Sequence, residues 1–396
     1  MSERWEERRS RRVAALEQSA IRAMTRHCEA ADGINLGQGI CPLPSPPELL
    51  EAASNAILAD RSTYSKFEGI EALKIQIARK LEAFNGLSID PDRELVTTVG
   101  SAGAFTCTIQ ALLDEGDEAI VFEPYYGYHL NALRISGVEP QVVTLPPPDW
   151  ALREEALEAA ISERTRAVVV NTPANPSGKV FSRREMELLA RFCERHDLLA
   201  ITDEIYEYMV YGDREHISLA TMEGMRDRTV TISGFSKTFA ITGWRLGYAA
   251  ACEKLARRIG MVNDLFYICA PTPLQHGLAE AMAVIGEDYY AGMREKYQGH
   301  LERFCDVLEE VGFRPYRPQG SYYILADVAS LGCESASDAA MKLLEETGVA
   351  AVPGSAFFES EMGERLLRFC VAQSEETIDA AIEGLRRLQV TQEQPR

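Results

Sequence analysis

Between residue 94 and about residue 267, short runs of β-branched and aliphatic residues alternate with stretches of helical period. This alternation constrains the fold more than any other feature of the chain. "ELVTTVG", "EAIVFEP", "RAVVVNTP", "DLLAITDE" and "RTVTISGF" read as strands, and "GAFTCTIQALLDEG", "SRREMELLARFCERH" and "CEKLARRIGMVNDLF" read as helices. The strand runs are apolar along their length, which suits strands covered on both faces. Such strands, separated by helices of about 10–15 residues, specify a mostly parallel α/β sheet with helices on both sides. The glycine-rich turn GxGxxG is missing, so a dinucleotide fold has little support.

Past about residue 290 the pattern changes. The long helical stretch "AGMREKYQGHLERFCDVLEEVG" leads into "GSYYILADV", the helix "SASDAAMKLLEETG", the strands "VAAVPG" and "LLRFCVA", and a final helix. This is the pattern of a smaller α+β domain. The first 45 residues hold a charged helix and the Gly/Pro-rich arm "INLGQGICPLPSPP". The expected organisation is an arm and helix over 1–45 that pack with the small domain, a large domain over 46–290 and a small domain over 291–396, with only the last few residues loose.

At 396 residues the chain can bury a sizeable core. Its net charge of -19 argues against nucleic acid or a membrane surface as partner, since both require a basic patch. Nine cysteines without a CxxC pair read as reduced thiols, and the histidines lack metal-ligand spacing. No apolar run reaches the length of a membrane span. The expectation is a soluble, cytoplasmic protein with no metal.

The chemistry is concentrated where strands end. In an open α/β sheet, ligands gather beyond the carboxyl ends of the strands. "VVVNTPANPSG" brings Asn171 and Asn175 there, "AITDEIYEY" brings Asp203 and Tyr206, and "TISGFSK" brings Lys237. "LVTTVG" runs into "GSAGAF", small residues opening a helix whose free N–H groups suit an anion. Arg245, eight residues after Lys237, can add a bidentate charge to that anion. Together these groups match a phosphate, a nitrogen heterocycle and an aldehyde, and pyridoxal phosphate combines all three. Lys237 would form the Schiff base. Asp203 would keep the ring nitrogen protonated. Asn175 and Tyr206 would bond the ring oxygen, and Tyr126 of "EPYYGYH" would stack on the ring.

With these motifs in this order, the sequence resembles the class I/II pyridoxal-phosphate aminotransferases of fold type I, the aspartate, aromatic and kynurenine aminotransferase group. "NTPANPSG", "DEIY" and "GFSKTFAITGWRLGY" carry the resemblance, which spans roughly residues 30–390. It implies that Lys237 also moves the proton between the substrate α-carbon and the cofactor. Ser101, Ala102, Arg245 and Ser236 would bind phosphate, and Tyr64 of "STYSKFEG" would reach the phosphate of a neighbouring subunit in a homodimer. Arg368 of "LLRFCVA" would pair with the substrate carboxylate, Asn175 would contact the substrate as well as the cofactor, and Gly39 of "LGQGI" would belong to the arm that closes over the substrate. Two positions depart from the family pattern. Gly234 stands where many members carry serine, and Tyr126 stands where some carry tryptophan.

Each residue has a plainer reading. Lys237 alone is a solvated charge, Arg368 an edge-strand ion-pair partner, Tyr64 a packing tyrosine, Tyr206 a core aromatic and Asp203 a helix cap or salt-bridge residue. His129 follows the aromatic cluster, within reach of the cofactor, and reads as structural. Glu204, one residue on from Asp203, would face the opposite side of the strand. Cys107, Cys269 and Cys370 sit in apolar runs and read as core. The implied activity is transfer of an amino group from an L-amino acid to a 2-oxo acid by a ping-pong cycle through pyridoxamine phosphate. Alternatives on the same scaffold are a β-lyase or other eliminase and a non-catalytic cofactor-binding regulator. "MVNDLFYICAPTPLQHG" and "GSYYILAD" are the segments expected to line the side-chain pocket. Their aromatic tone, with the resemblance of "APTPLQ" and "LGQG" to the kynurenine/glutamine subgroup, leans towards a bulky or neutral amino acid. No second carboxylate binder is legible.

Overall fold

The structure, a computed structural model, describes residues 10–14 and 19–388. The charged N-terminal stretch lies partly outside that range; within it, Arg11–Ala14 and Ala20–Ala30 are helical. The last few residues, expected to be loose, also lie outside it.

A first short strand, β1 (Ile34–Asn35), precedes the main sheet. That sheet contains β2 (Leu95–Val99), β3 (Glu118–Glu123), β4 (Glu139–Thr144), β5 (Thr165–Asn171), β6 (Leu199–Asp203), β7 (Thr229–Gly234) and β8 (Leu246–Ala250). They lie in the order β2-β8-β7-β6-β5-β3-β4, and only β8 runs against its neighbours. The five strands read from sequence are all present. β4 and β8 are additional to them: "EPQVVT" has a proline at its second position and "LGYAA" is mostly small residues, so both carry a weak strand signal.

Burial in the sheet follows the two-residue period of a strand. Val168 and Val170 face the helix Arg183–Arg195, where Met186, Leu189 and Phe192 pack on them. Val169 points the other way, towards Ala104, Phe105 and Ile109 of the helix Gly100–Leu112. Both valine faces are therefore dry, which is why the run has no polar alternation. The helix Arg183–Arg195 starts where its sequence specifies. Ser182 accepts a hydrogen bond from the Glu185 backbone N–H, and the Glu185 carboxylate accepts one from the Ser182 N–H.

A second sheet follows, built from β9 (Arg314–Tyr316), β10 (Tyr323–Asp327), β12 (Val352–Pro353) and β13 (Leu366–Cys370), all antiparallel. Between β10 and β12, the two-residue β11 (Val349–Ala350) pairs with β1 in parallel. The N-terminal segment is thereby stitched to the C-terminal third of the chain. Met24, Cys28 and Leu36 share one apolar cluster with Tyr297, Phe304, Leu343 and Phe369. No helix among the described residues is long and apolar enough to cross a membrane.

Candidate active site

The sheet register places the polar strand ends side by side. Asn171 is opposite Asp203 across β5 and β6, and Asp203 is opposite Ile232 across β6 and β7. Lys237 follows the end of β7 by three residues. Asn171 donates from its amide to the Asp203 carbonyl (3.0 Å) and accepts from the Asn175 N–H (2.8 Å). The loop carrying Asn175 is thus tied to the strand carrying Asp203.

Asp203 is buried, with one carboxylate oxygen 2.9 Å from Nε2 of His129 and the other accepting from the Ile205 N–H. His129 is itself buried, on the helix Gly127–Ile135, and packs against Phe105 and edge-on to Tyr126. His129 thereby orients the central carboxylate. An aspartate and a histidine 74 positions apart leave no spacing signal, and only the sheet brings them together.

Lys237 directs its amine into the same space and donates to the Gly39 carbonyl at 2.8 Å. Burial lowers its pKa below the ordinary lysine value. The positive Arg368 and Arg245 add to that, against the opposing thiols of Cys370 and Cys41. A lysine in this setting gives up its proton more readily than one in water. The Gly39 arm makes its approach without a side chain, because a Cβ there would fall 2.0 Å from the Tyr323 hydroxyl.

Arg368, on β13, is 1% exposed and lies between the rings of Tyr323 (4.4 Å) and Phe357 (4.7 Å). One guanidinium nitrogen donates to Asn175 Oδ1 (3.0 Å) and another to the Gly37 carbonyl. Nε has no partner among the described residues. An unmet donor on a fully buried cation is costly, and a carboxylate is its natural complement. This excludes the edge-strand ion-pair reading of Arg368. Tyr206, buried and with its pKa raised by that burial, donates its hydroxyl to Tyr323 (3.3 Å). Burial also pushes Tyr323 up to about 12, so its hydroxyl stays protonated.

At the end of β2 the chain enters the helix Gly100–Leu112 through Gly100, at φ +71°. A Cβ at Gly100 would lie 2.5 Å from Nη2 of Arg245, so the guanidinium rests against the opening turn of the helix. Free backbone N–H groups and a cation at one point make an anion cradle. Arg245 has φ +56° and donates to the Thr242 carbonyl (2.8 Å).

One cavity of about 220 Å³ gathers Gly39, Ser101, Tyr126, Asn175, Asp203, Tyr206, Lys237 and Arg368. Ala102, Ser236 and Arg245 lie outside its wall, and Tyr64 is 78% exposed and away from it. Tyr323, Tyr128, Gln38 and Arg22 line the cavity and were not singled out from sequence. Glu204 turns away from it, as its position after Asp203 requires. It is buried with His216 (2.7 Å), Ser218 (2.6 Å) and Thr202 (2.9 Å). Glu207, beside it, is paired with Lys80. Glu204, Glu207 and His216 are close enough to hold a cation, but Lys80 already supplies positive charge to Glu207. Cys107 and Cys370 are core residues as expected, whereas Cys269 is only half-buried.

Comparison with known proteins places this geometry in a family. The family model for aminotransferase class I and II matches residues 31–385. Kynurenine–oxoglutarate transaminase 3 of Mus musculus is 33% identical over 407 residues, covering 95% of this chain and 89% of the relative. A probable N-succinyldiaminopimelate aminotransferase of Mycobacterium tuberculosis is 33% identical over 374 residues, covering 91% and 93%. Among solved structures, the N-succinyldiaminopimelate aminotransferase of Mycobacterium tuberculosis superposes with a TM-score of 0.92 at 30% identity, over 96% of this chain and 99% of that one. A single mutant of the aspartate aminotransferase of Thermus thermophilus superposes with a TM-score of 0.90 at 32% identity, over 96% and 100%. The chain belongs to the class I and II aminotransferase family and is a fold-type I transaminase, moving amino groups between amino acids and oxo acids.

Proposed function

We propose that the cavity holds pyridoxal 5′-phosphate and that the enzyme exchanges the amino group of an L-amino acid with a 2-oxo acid in a ping-pong cycle. The carrying observation is the convergence on one cavity of a buried lysine amine, a histidine-oriented aspartate and an arginine with an unpartnered buried Nε. The residues fit the cofactor: the side-chain-free cradle at Gly100 with Arg245 suits its phosphate, and Asp203 suits a protonated ring nitrogen. Asn175 and Tyr206 would hold the ring oxygen, Tyr126 would stack on the ring, and Ser101, Ala102 and Ser236 would complete the phosphate site. When bound, pyridoxal phosphate supplies an electron sink for the carbanion left after loss of the α-proton.

The chain's own residues do the rest. Arg368 binds the substrate α-carboxylate through the donor left unpaired in its aromatic sandwich. Lys237, its pKa lowered by burial, would take the substrate α-proton and hand it on from the same side of the site. The Gly37–Gly39 arm, in contact with both Lys237 and Arg368, excludes water from the site.

The same reading includes a homodimer with shared sites. Leu265 (78%), Met261 (65%) and Phe266 (51%) expose large apolar surface at the end of the helix Glu253–Tyr267. The loop with Tyr64 is fastened to this region by Ser65 N–H donating to Thr272 Oγ1 (3.2 Å) and Gln275 donating to Ser65 Oγ (3.1 Å). Between them Ile268 adopts φ +63°, ψ −60° in a γ-turn closed by Cys269 N–H to Tyr267 carbonyl (2.7 Å). A β-branched residue seldom takes that conformation, and such strain concentrates at functional loops. A second copy covering this surface would let Tyr64 reach its partner's phosphate. The division into 1–45, 46–290 and 291–396 is part of the proposal, supported by the pairing of β1 with β11.

The test is an absorption spectrum of the purified protein with pyridoxal phosphate added, followed by amino acids and 2-oxo acids in turn. An absorption band that an amino acid shifts and an oxo acid restores, and that is absent in Lys237→Ala, is the expected result. A band that no amino acid alters overturns the transamination reading. Turnover of an amino acid without any oxo acid would point to elimination instead.

A further inference from the structure

Four charged side chains line the cavity: Asp203, Lys237, Arg368 and Arg22. The first three have roles in the reading above, on which this inference rests. Arg22 has none. It stands in the first turn of the helix Ala20–Ala30, exposed to solvent, and its guanidinium has no ion pair or hydrogen bond with any described residue. In a chain with 60 acidic residues against 41 basic ones, a cation at the rim of the reaction cavity with no acidic partner among the described residues suits an anion from outside. Gln38 lines the same cavity. Its Oε1 accepts from Thr25 (3.4 Å), and its amide N–H groups have no acceptor among the described residues.

We propose that Arg22, assisted by the Gln38 amide, binds a second carboxylate at the far end of the substrate side chain. The enzyme is then selective for amino acids and oxo acids that carry an acidic side chain, in contrast with the bulky or neutral substrate that the aromatic lining suggests. The cavity is bipolar in the required sense: Arg368 is buried at its inner wall and Arg22 lies at its exposed rim. Thr25 also accepts from Asn35 (3.3 Å), so the helix carrying Arg22 is fastened to the arm that contacts Lys237. A side-chain carboxylate held by Arg22 pins that arm over the reacting centre.

The experiment compares kcat/KM of the holoenzyme for glutamate against glutamine and for aspartate against asparagine, pairs nearly equal in shape that differ in charge. Variants are Arg22→Gln and Arg22→Lys. The acid-over-amide ratio falls by about tenfold or more in Arg22→Gln, as expected for loss of a charge-assisted hydrogen bond. Arg22→Lys, which keeps the charge without the planar fork, keeps part of it. Because Arg22 is exposed, added salt lowers the wild-type ratio and leaves that of Arg22→Gln flat. A ratio unmoved by Arg22→Gln, or a wild-type preference for the amides, overturns the proposal while transamination stands. If no amino acid reacts, the transamination reading itself fails. Calorimetric binding of glutarate against its monoamide then decides the role of Arg22: a preference lost in Arg22→Gln upholds it, and equal binding refutes it.

Discussion

Gly39→Ala tests how the arm, the lysine and the arginine clamp depend on one another. The new Cβ falls 2.0 Å from the Tyr323 hydroxyl oxygen, 3.0 Å from Cζ and 3.4 Å from Cε1. The ring cannot swing clear cheaply, since Tyr323 is 3% exposed, bonded to Tyr206 and stacked beneath Arg368. Overpacking of this kind costs about 1–3 kcal/mol. Gly39 does not occupy left-handed φ, so alanine also restricts the unfolded chain and returns about 0.4–1 kcal/mol. The net loss is on the order of 1–2 kcal/mol. Calorimetry of the cofactor-free protein should show it as a lowered midpoint, and steady-state kinetics as a raised KM for the amino acid, because the Arg368 clamp moves with the ring. Adding Tyr323→Phe removes the atom at 2.0 Å and leaves contacts of 3.0 Å and beyond. The double variant should therefore recover at least ~0.5 kcal/mol relative to the sum of the single changes. A Gly39→Ala protein with unchanged midpoint and KM, or strict additivity with Tyr323→Phe, would refute the reasoning.

Three further predictions concern other parts of the site and its support. Burial lowers the pKa of Lys237, so between that lowered value and the unfolded value near 10.4 the unfolded chain binds more protons and stability must rise with pH. Lys237→Met in the cofactor-free protein lacks this slope, and denaturation of both proteins across the window should show their difference shrinking as pH rises; a constant difference counts against the burial argument. Lys80 and Glu207 form an ion pair with both side chains at least nine-tenths buried. Removing either alone as Lys80→Met or Glu207→Gln should cost about 3–5 kcal/mol in urea denaturation, and removing both should cost less than the sum. Arg368→Lys keeps the charge but loses the fork that contacts Asn175 and Gly37, and should raise the amino-acid KM about tenfold or more; an unchanged KM would remove Arg368 from substrate binding.

Local rules carried the sequence reading a long way. Apolar runs of strand length between helices dictated a covered parallel sheet, because a backbone without polar alternation must be dry on both faces. Asn171, Asp203 and Lys237 were legible as neighbours because parallel strands bring their carboxyl ends to one edge whatever their separation in sequence. Glu204 was legible as an outward residue from the two-residue period alone. Strand β8, poor in β-branched residues, was not legible, since its place is set by the partners on either side, β2 and β7. Contacts between elements without a common period were equally invisible: His129 on Asp203, the Gly39 carbonyl on Lys237, and Tyr323 stacked between the arm and Arg368. Arg22 carried no local signal at all. An exposed arginine in the first turn of a charged helix looks like any solvated residue until the pairing of β1 with β11 and the packing of Met24, Cys28 and Leu36 bring that helix to the rim of the cavity. Periodicity and strand-end chemistry determined which groups the chain brings to one edge of its sheet. Long-range packing decided which of them touch, because contact energies act between surfaces whose separation in sequence carries no information.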